Sequence, residues 1–202
     1  MSGKRSLFWG SLSLLTLYEL AVQAGEYQAR HRLFAAARAY CRAIGKPLLR
    51  IGMRRSPLEP PNGDYTVDID STVALVGGGV WADERCLPFA DRQFGVCFNE
   101  HTLEHLPAPA DVQLAVAECS RVADVCILLL PSSPLSRWAH ETHRLLIDIK
   151  PAQPTSGGWL EVRPRHRPWE RPWPVELSAN TLALSTLPPG ADATELIKRC
   201  IG

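Results

Sequence analysis

Short apolar strands alternating with helical stretches predict an α/β fold with a doubly wound, mostly parallel sheet and flanking helices. Three observations carry this expectation. Residues 125–130, VCILLL, form a near-continuous apolar run of the kind that suits a central parallel strand covered on both faces. Just before it, Val112, Ala115, Val116 and Cys119 recur at helical spacing, after Pro109 and with Asp111 in the first turn. Upstream, residues 47–52 and 64–70 read as short strands, the second with Val67 and Ile69 on one face.

The remaining elements follow in order. Leu33, Phe34, Ala37, Tyr40, Cys41 and Ile44 recur at three- and four-residue intervals, so residues 26–44 form an amphipathic helix that Gly45 and Pro47 end. Residues 71–80 are apolar and contain the Gly77-Gly78-Gly79 run, and residues 93–99 read as another strand. A helix is expected over Trp138 to Ile149, then strands near Gly158 to Val162 and Thr181 to Ser185 within a Pro- and Trp-rich tail.

The totals narrow the class. The chain has 202 residues, 46% of them apolar and 21% charged, which is globular rather than disordered. A net charge of +1 and the lack of a basic stripe exclude a nucleic-acid surface. The six cysteines include no C-x-x-C pair and no His at ligand spacing, so they read as buried free thiols in a reducing compartment, and no metal is expected.

The N-terminus is hydrophobic. After Lys4 and Arg5, residues 7–22 are apolar, and as a helix they would reach about 24 Å, short of the roughly 30 Å hydrocarbon core. A cleaved signal, a membrane anchor and a soluble packed helix compete here. If the segment spans, Arg30, Arg32, Arg38 and Arg42 behind it place the main domain in the cytoplasm. The chain divides into a hydrophobic helix (1–25), an α/β domain (26–150) and a Pro/Trp-rich part completing it (151–202).

The most specific order lies between Asp83 and Leu106: an acid, a Leu87-Pro88-Phe89 turn, a strand through Phe94, then Leu103-Glu104-His105-Leu106. This order resembles the middle of a class I S-adenosylmethionine-dependent methyltransferase of the small-molecule (type 11) family. The resemblance covers roughly residues 47–131. It implies a Rossmann-like sheet, S-adenosylmethionine as cofactor, and methyl transfer to a small-molecule or lipid acceptor.

Carried over residue by residue, the resemblance puts Gly52 in the cofactor loop after the first strand. Asp68 falls on the ribose hydroxyls, with Asp70 as the alternative, and Asp83 falls on the adenine amine. Cys86, Leu87 and Asn99 complete the cofactor set. His101 or His105 is the candidate general base; the other reading is that Glu104 and His105 hold the loop by hydrogen bonds. A metal pair at His101 and His105 lacks the H-E-x-x-H order.

Several positions depart from the family pattern. Arg50 stands where an acid is usual, and Arg54 and Ser56 replace the second and third loop glycines, leaving the loop degenerate. Gly95 replaces an Asp, and the turn after residues 118–122 is shortened. An arginine at a close-approach glycine position would fill cofactor space, although surface arginines are the simpler reading. These departures suit an alternative role, a catalytically inactive methyltransferase-fold subunit serving as a binding or assembly component with a protein partner in a membrane complex.

Overall fold

The computed structural model describes residues 2–132, 137, 141–150, 158–187 and 190–200, with side chains from Leu15 onward. Six strands form one parallel sheet: β1 (Leu48–Ile51), β2 (Tyr65–Asp68), β3 (Gly79–Trp81), β4 (Phe94–Glu100), β5 (Ala123–Leu129) and β9 (Thr181–Leu184). Their order is β3-β2-β1-β4-β5-β9. The order reverses direction between β1 and β4, the switch point at which doubly wound sheets bind ligands beyond their carboxyl ends.

Side chains alternate across the strands, so each strand feeds two cores. Leu48, Val96, Phe98, Val125 and Ile127 face helix α1 (Ser2–Ile44) and the short helix α3 (Ala193–Arg199). Leu49, Cys97, Cys126 and Leu128 face helix α2 (Pro109–Val122), which buries Val112, Ala115, Val116 and Cys119 as their spacing predicts. VCILLL lies inside the sheet, between β4 and the edge strand β9, and is almost wholly buried.

Helix α1 runs without a break through Gly25, where the sequence reading set a boundary between 1–25 and 26–44. One glycine costs only about 1 kcal/mol in a helix, and the neighbouring Ala, Glu and Gln residues favour continuation. The helix ends as expected, at Gly45 with φ +69. Among the described residues no helix is long and apolar enough to cross a membrane.

One expectation is corrected. The helix expected over Trp138 to Ile149 does not extend over Leu145–Ile149, which lies in strand β6 (Leu145–Lys150), and Trp138 to His140 lie outside the described residues. β6 pairs antiparallel with β7 (Trp159–Pro164), which pairs antiparallel with β8 (Trp173–Glu176). Leu145, Ile147, Leu160, Val162 and Val175 from this second sheet join the core around α2. An apolar run as short as LLI has no decisive period, so its partner strand decides its conformation.

No helix follows β1: residues 52–64 form a loop, and β2 connects to β3 through a 3-10 turn at Ser71–Leu75. The sheet keeps its doubly wound strand order, with α1 and α3 on one face and α2 on the other.

Gly95 acquires a structural reason. A Cβ built there would stand 2.9 Å from Cys41 Sγ and 3.1 Å from Ile44 Cδ1, so α1 packs directly on this backbone. Gly95→Asp should cost at least about 3 kcal/mol, since it inserts volume and an unpaired carboxylate under α1. Urea unfolding followed by circular dichroism checks this, and a midpoint close to that of the native chain would contradict the packing.

Candidate active site

A crevice of about 660 Å³ opens beyond the carboxyl ends of β1, β2 and β4. Its size suits a nucleoside-sized ligand, since binding pockets run from about 300 to 1,000 Å³. Gly52, Asp68, Asp83, His101 and His105 all line it.

Gly52 has φ +87, and its N–H donates to Val67 O at 2.8 Å. An added Cβ would meet Thr102 Cγ2 at 3.0 Å, so the position needs glycine for conformation and for space. Asp68 ends β2 and accepts from Met53 N and Asp70 N, each at 2.8 Å, while Arg55 lies 3.3 Å from both its oxygens. Asp83 is held by Arg85, which also reaches Asp111 at 2.7 Å. That arginine keeps the Asp83 carboxyl below its usual range.

The structure does not bring Cys86, Leu87 and Asn99 to the crevice wall. Cys86 is exposed, its N–H turned back to Asp83 O at 3.0 Å. Leu87 is buried in the core, and its N–H is taken by Glu118 at 2.7 Å. Asn99 is buried beneath the crevice and acts through a neighbour, donating to Glu84 Oε2 at 2.7 Å.

Glu84 is among the lining residues, with Arg30, Glu100 and Thr102, that carry no signal in the sequence; next to Asp83 it has no distinguishing pattern. Burial pushes its carboxyl up to about 8. Thr102 Oγ1 lies 2.7 Å from Glu84 Oε2 and 2.8 Å from Asn99 Oδ1, and its single proton cannot serve both. A protonated Glu84 donating to Thr102 lets the hydroxyl pass its own proton to Asn99, which satisfies the chain of bonds.

The arginines take roles other than those expected. Arg50 is buried, not at the surface. It lies 3.3 Å from both Glu100 and Glu59 and donates to the carbonyls of Pro60 and Pro61. It thereby ties the 52–64 loop to the sheet. Arg54 does not fill the crevice but folds onto its own loop, donating to Ser56 O and Pro57 O. Arg55 is the arginine that enters the crevice, through its contacts with Asp68 and Asp70.

Helix α1 supplies a further wall. Arg30 lies 3.4 Å from Glu100 and approaches the His101 ring nitrogens at 3.3 and 3.4 Å. Burial, then Arg30, His143 and His105, keep His101 well below its ordinary value, so its ring is neutral. His105 turns Nδ1 to Thr142 O at 3.2 Å. Glu104 does not hold the loop by its side chain, since neither carboxylate oxygen has a hydrogen-bond donor among the described residues.

Residues 70–124 match the family described as Methyltransferase domain. The matched stretch spans β3, β4, α2 and the start of β5, and includes the Asp83 to Leu106 order. Gly52 and Asp68 lie upstream of the matched stretch. A crystal structure of Burkholderia thailandensis 1,6-didemethyltoxoflavin-N1-methyltransferase with bound 1,6-didemethyltoxoflavin and S-adenosylhomocysteine is similar at 11% identity. That likeness covers 96% of this chain and 78% of that one, and its TM-score of 0.31 is too low to carry an argument about ligands. No curated protein matches the chain.

Two expected outcomes follow from the buried charges. Arg50→Met leaves Glu100 buried with one partner fewer and should cost about 3–5 kcal/mol, while Arg50→Met with Glu100→Gln should recover most of it. Denaturant melts of the single and double variants measure this; equal losses would show that the pair is not coupled. For Glu84, the carboxyl rises from 4.5 to about 8 on folding, so the folded state holds the extra proton between those values. Stability should therefore fall as pH climbs through that window. Glu84→Gln removes this contribution, and its melting temperature should fall less between acidic and alkaline buffers. Parallel curves for the two proteins would contradict the assignment.

Proposed function

We propose that the crevice binds S-adenosylmethionine and that the protein transfers its methyl group to a small-molecule acceptor. The observation that carries this reading is the convergence of Gly52, Asp68 and Asp83 on one crevice at the switch point. The residues fit the cofactor. Gly52 leaves room for close backbone approach, Asp68 can accept from ribose hydroxyls, and Asp83 can accept from the adenine amine. Arg55 and Arg85 now sit on those carboxylates, but both arginines are partly exposed. Exposed pairs contribute about 0–1 kcal/mol, so displacing them costs little.

When bound, the cofactor supplies an electrophilic methyl group on a sulfonium. The chain's own part is to align the acceptor, exclude water and take a proton where the acceptor must lose one. Glu84, which holds a proton near neutrality, can take the acceptor's proton only in its ionised form, which grows in as pH rises towards about 8. His101 is the weaker base, since burial and Arg30 disfavour its protonated form.

One observation favours the inactive-subunit reading. The loop after Gly52 opens no helix, so no helix N-terminus faces the cofactor's anionic end. Calorimetric titration of S-adenosylhomocysteine into the full-length protein decides between the readings. We expect saturable binding, weakened about tenfold by Asp83→Ala through loss of one charge-assisted hydrogen bond. Absence of heat and of thermal stabilisation at millimolar-scale ligand, roughly the weak end of affinities, would sink the enzyme reading and leave the binding subunit.

A further inference from the structure

The geometry points to a divalent transition-metal site formed by Glu104, His105 and His143 at the edge of the crevice. One donor atom from each residue falls within 4.8 Å of the other two. Two chain segments bring them together. Glu104 and His105 belong to the 3-10 turn after β4 (Leu103–His105), and His143 leads into β6. Arg144 N donates to Glu104 O at 2.8 Å and fixes the two segments against each other.

Three independent features suit a cation there. First, the Glu104 side chain is 1% exposed, yet neither oxygen finds a hydrogen-bond donor among the described residues. A buried carboxylate in that state is costly, and a bound cation removes the cost. Second, His105 Nδ1 faces the carbonyl of Thr142, and a carbonyl can only accept. The proton is therefore on Nδ1 and the lone pair on Nε2, the orientation that metal-ligating histidines take from a backbone carbonyl behind them. Third, His143 is buried with Nε2 3.7 Å from Glu104 Oε1, and its ring stands edge-on to His105 with centroids 4.8 Å apart.

Two imidazoles and one carboxylate form a three-ligand set for Zn²⁺ or a similar cation, with a fourth position left open. Tetrahedral bonds of about 2.0–2.2 Å put donor atoms roughly 3.4 Å apart, so the triangle, whose sides reach up to 4.8 Å, needs to close by at most about 1.4 Å. His105 and Thr142 line the crevice, so the open position faces it. The nearby charge of Arg30 is balanced by Glu26 at 3.6 Å and Glu100 at 3.4 Å. The site involves none of Gly52, Asp68 or Asp83 and stands whether or not the crevice takes S-adenosylmethionine.

The test titrates Zn²⁺ into chelator-treated full-length protein by calorimetry and adds Co²⁺ to read ligand-field absorption in the visible. One ion per chain is expected, with the intense bands of a four-coordinate Co²⁺ site. Glu104→Gln and His143→Ala should each weaken binding at least about a hundredfold, beyond the 10–100-fold typical of losses behind the ligands. Cys86→Ser, at an exposed thiol, should leave binding unchanged. Metal-free Glu104→Gln should be at least as stable as the native chain, because it removes a buried carboxylate without changing shape; this separates a ligand from a structural acid. No binding, or binding that survives both ligand substitutions or moves with Cys86→Ser, would overturn the site.

Discussion

The buried ion pair between Arg50 and Glu100 is the interaction on which the crevice depends. It joins β1 to β4 across the point where the strand order reverses. Burial pushes each group towards its neutral form, and each is countered chiefly by the other. From Arg50 the contacts run out to Glu59, Pro60 and Pro61 and hold the loop that replaces a helix. From Glu100 they run to Arg30 and so bring α1 to the crevice wall. An apolar pair of equal volume would not be less stable by itself. What the charges add is a fixed position for a loop that has no regular structure of its own.

Around that pair the crevice holds three different electrostatic environments. Asp68 and Asp83 each have an arginine beside them, and Arg85 holds Asp83 below its usual range. Glu84, under the wall with Thr102 and Asn99, carries a proton near neutrality. Glu104, deeper still, has imidazoles for neighbours and, among the described residues, no hydrogen bond to its oxygens. Carboxyl groups separated in this way by environment can serve separate tasks on one wall.

Much of the sheet was legible because apolar alternation and helical spacing are local signals. VCILLL, the α2 stripe and the Gly45 stop all hold. Of the second sheet only β7 was legible, as the strand expected near Gly158 to Val162; LLIDIK fits either period, and β8 carries Pro174, a residue that argues against a strand unless it lies at an edge. Arg50 read as a departure because its partner Glu100 lies fifty residues away, and ion pairs at that separation leave no pattern. Gly95 likewise read as a lost Asp, whereas the approach of α1 to its backbone accounts for the glycine. Cys86 and Leu87 were carried over from the family order, and the turn geometry directs their N–H groups elsewhere.

The central claim is that this crevice, with its helixless loop, is a cofactor site. A crystal structure of the full-length protein grown with S-adenosylhomocysteine tests it most directly. The account predicts the ribose hydroxyls on Asp68, the adenine amine on Asp83, and Arg55 and Arg85 swung towards solvent. A crevice with both arginines still on their carboxylates under saturating ligand, or ligand bound at another face, would contradict it.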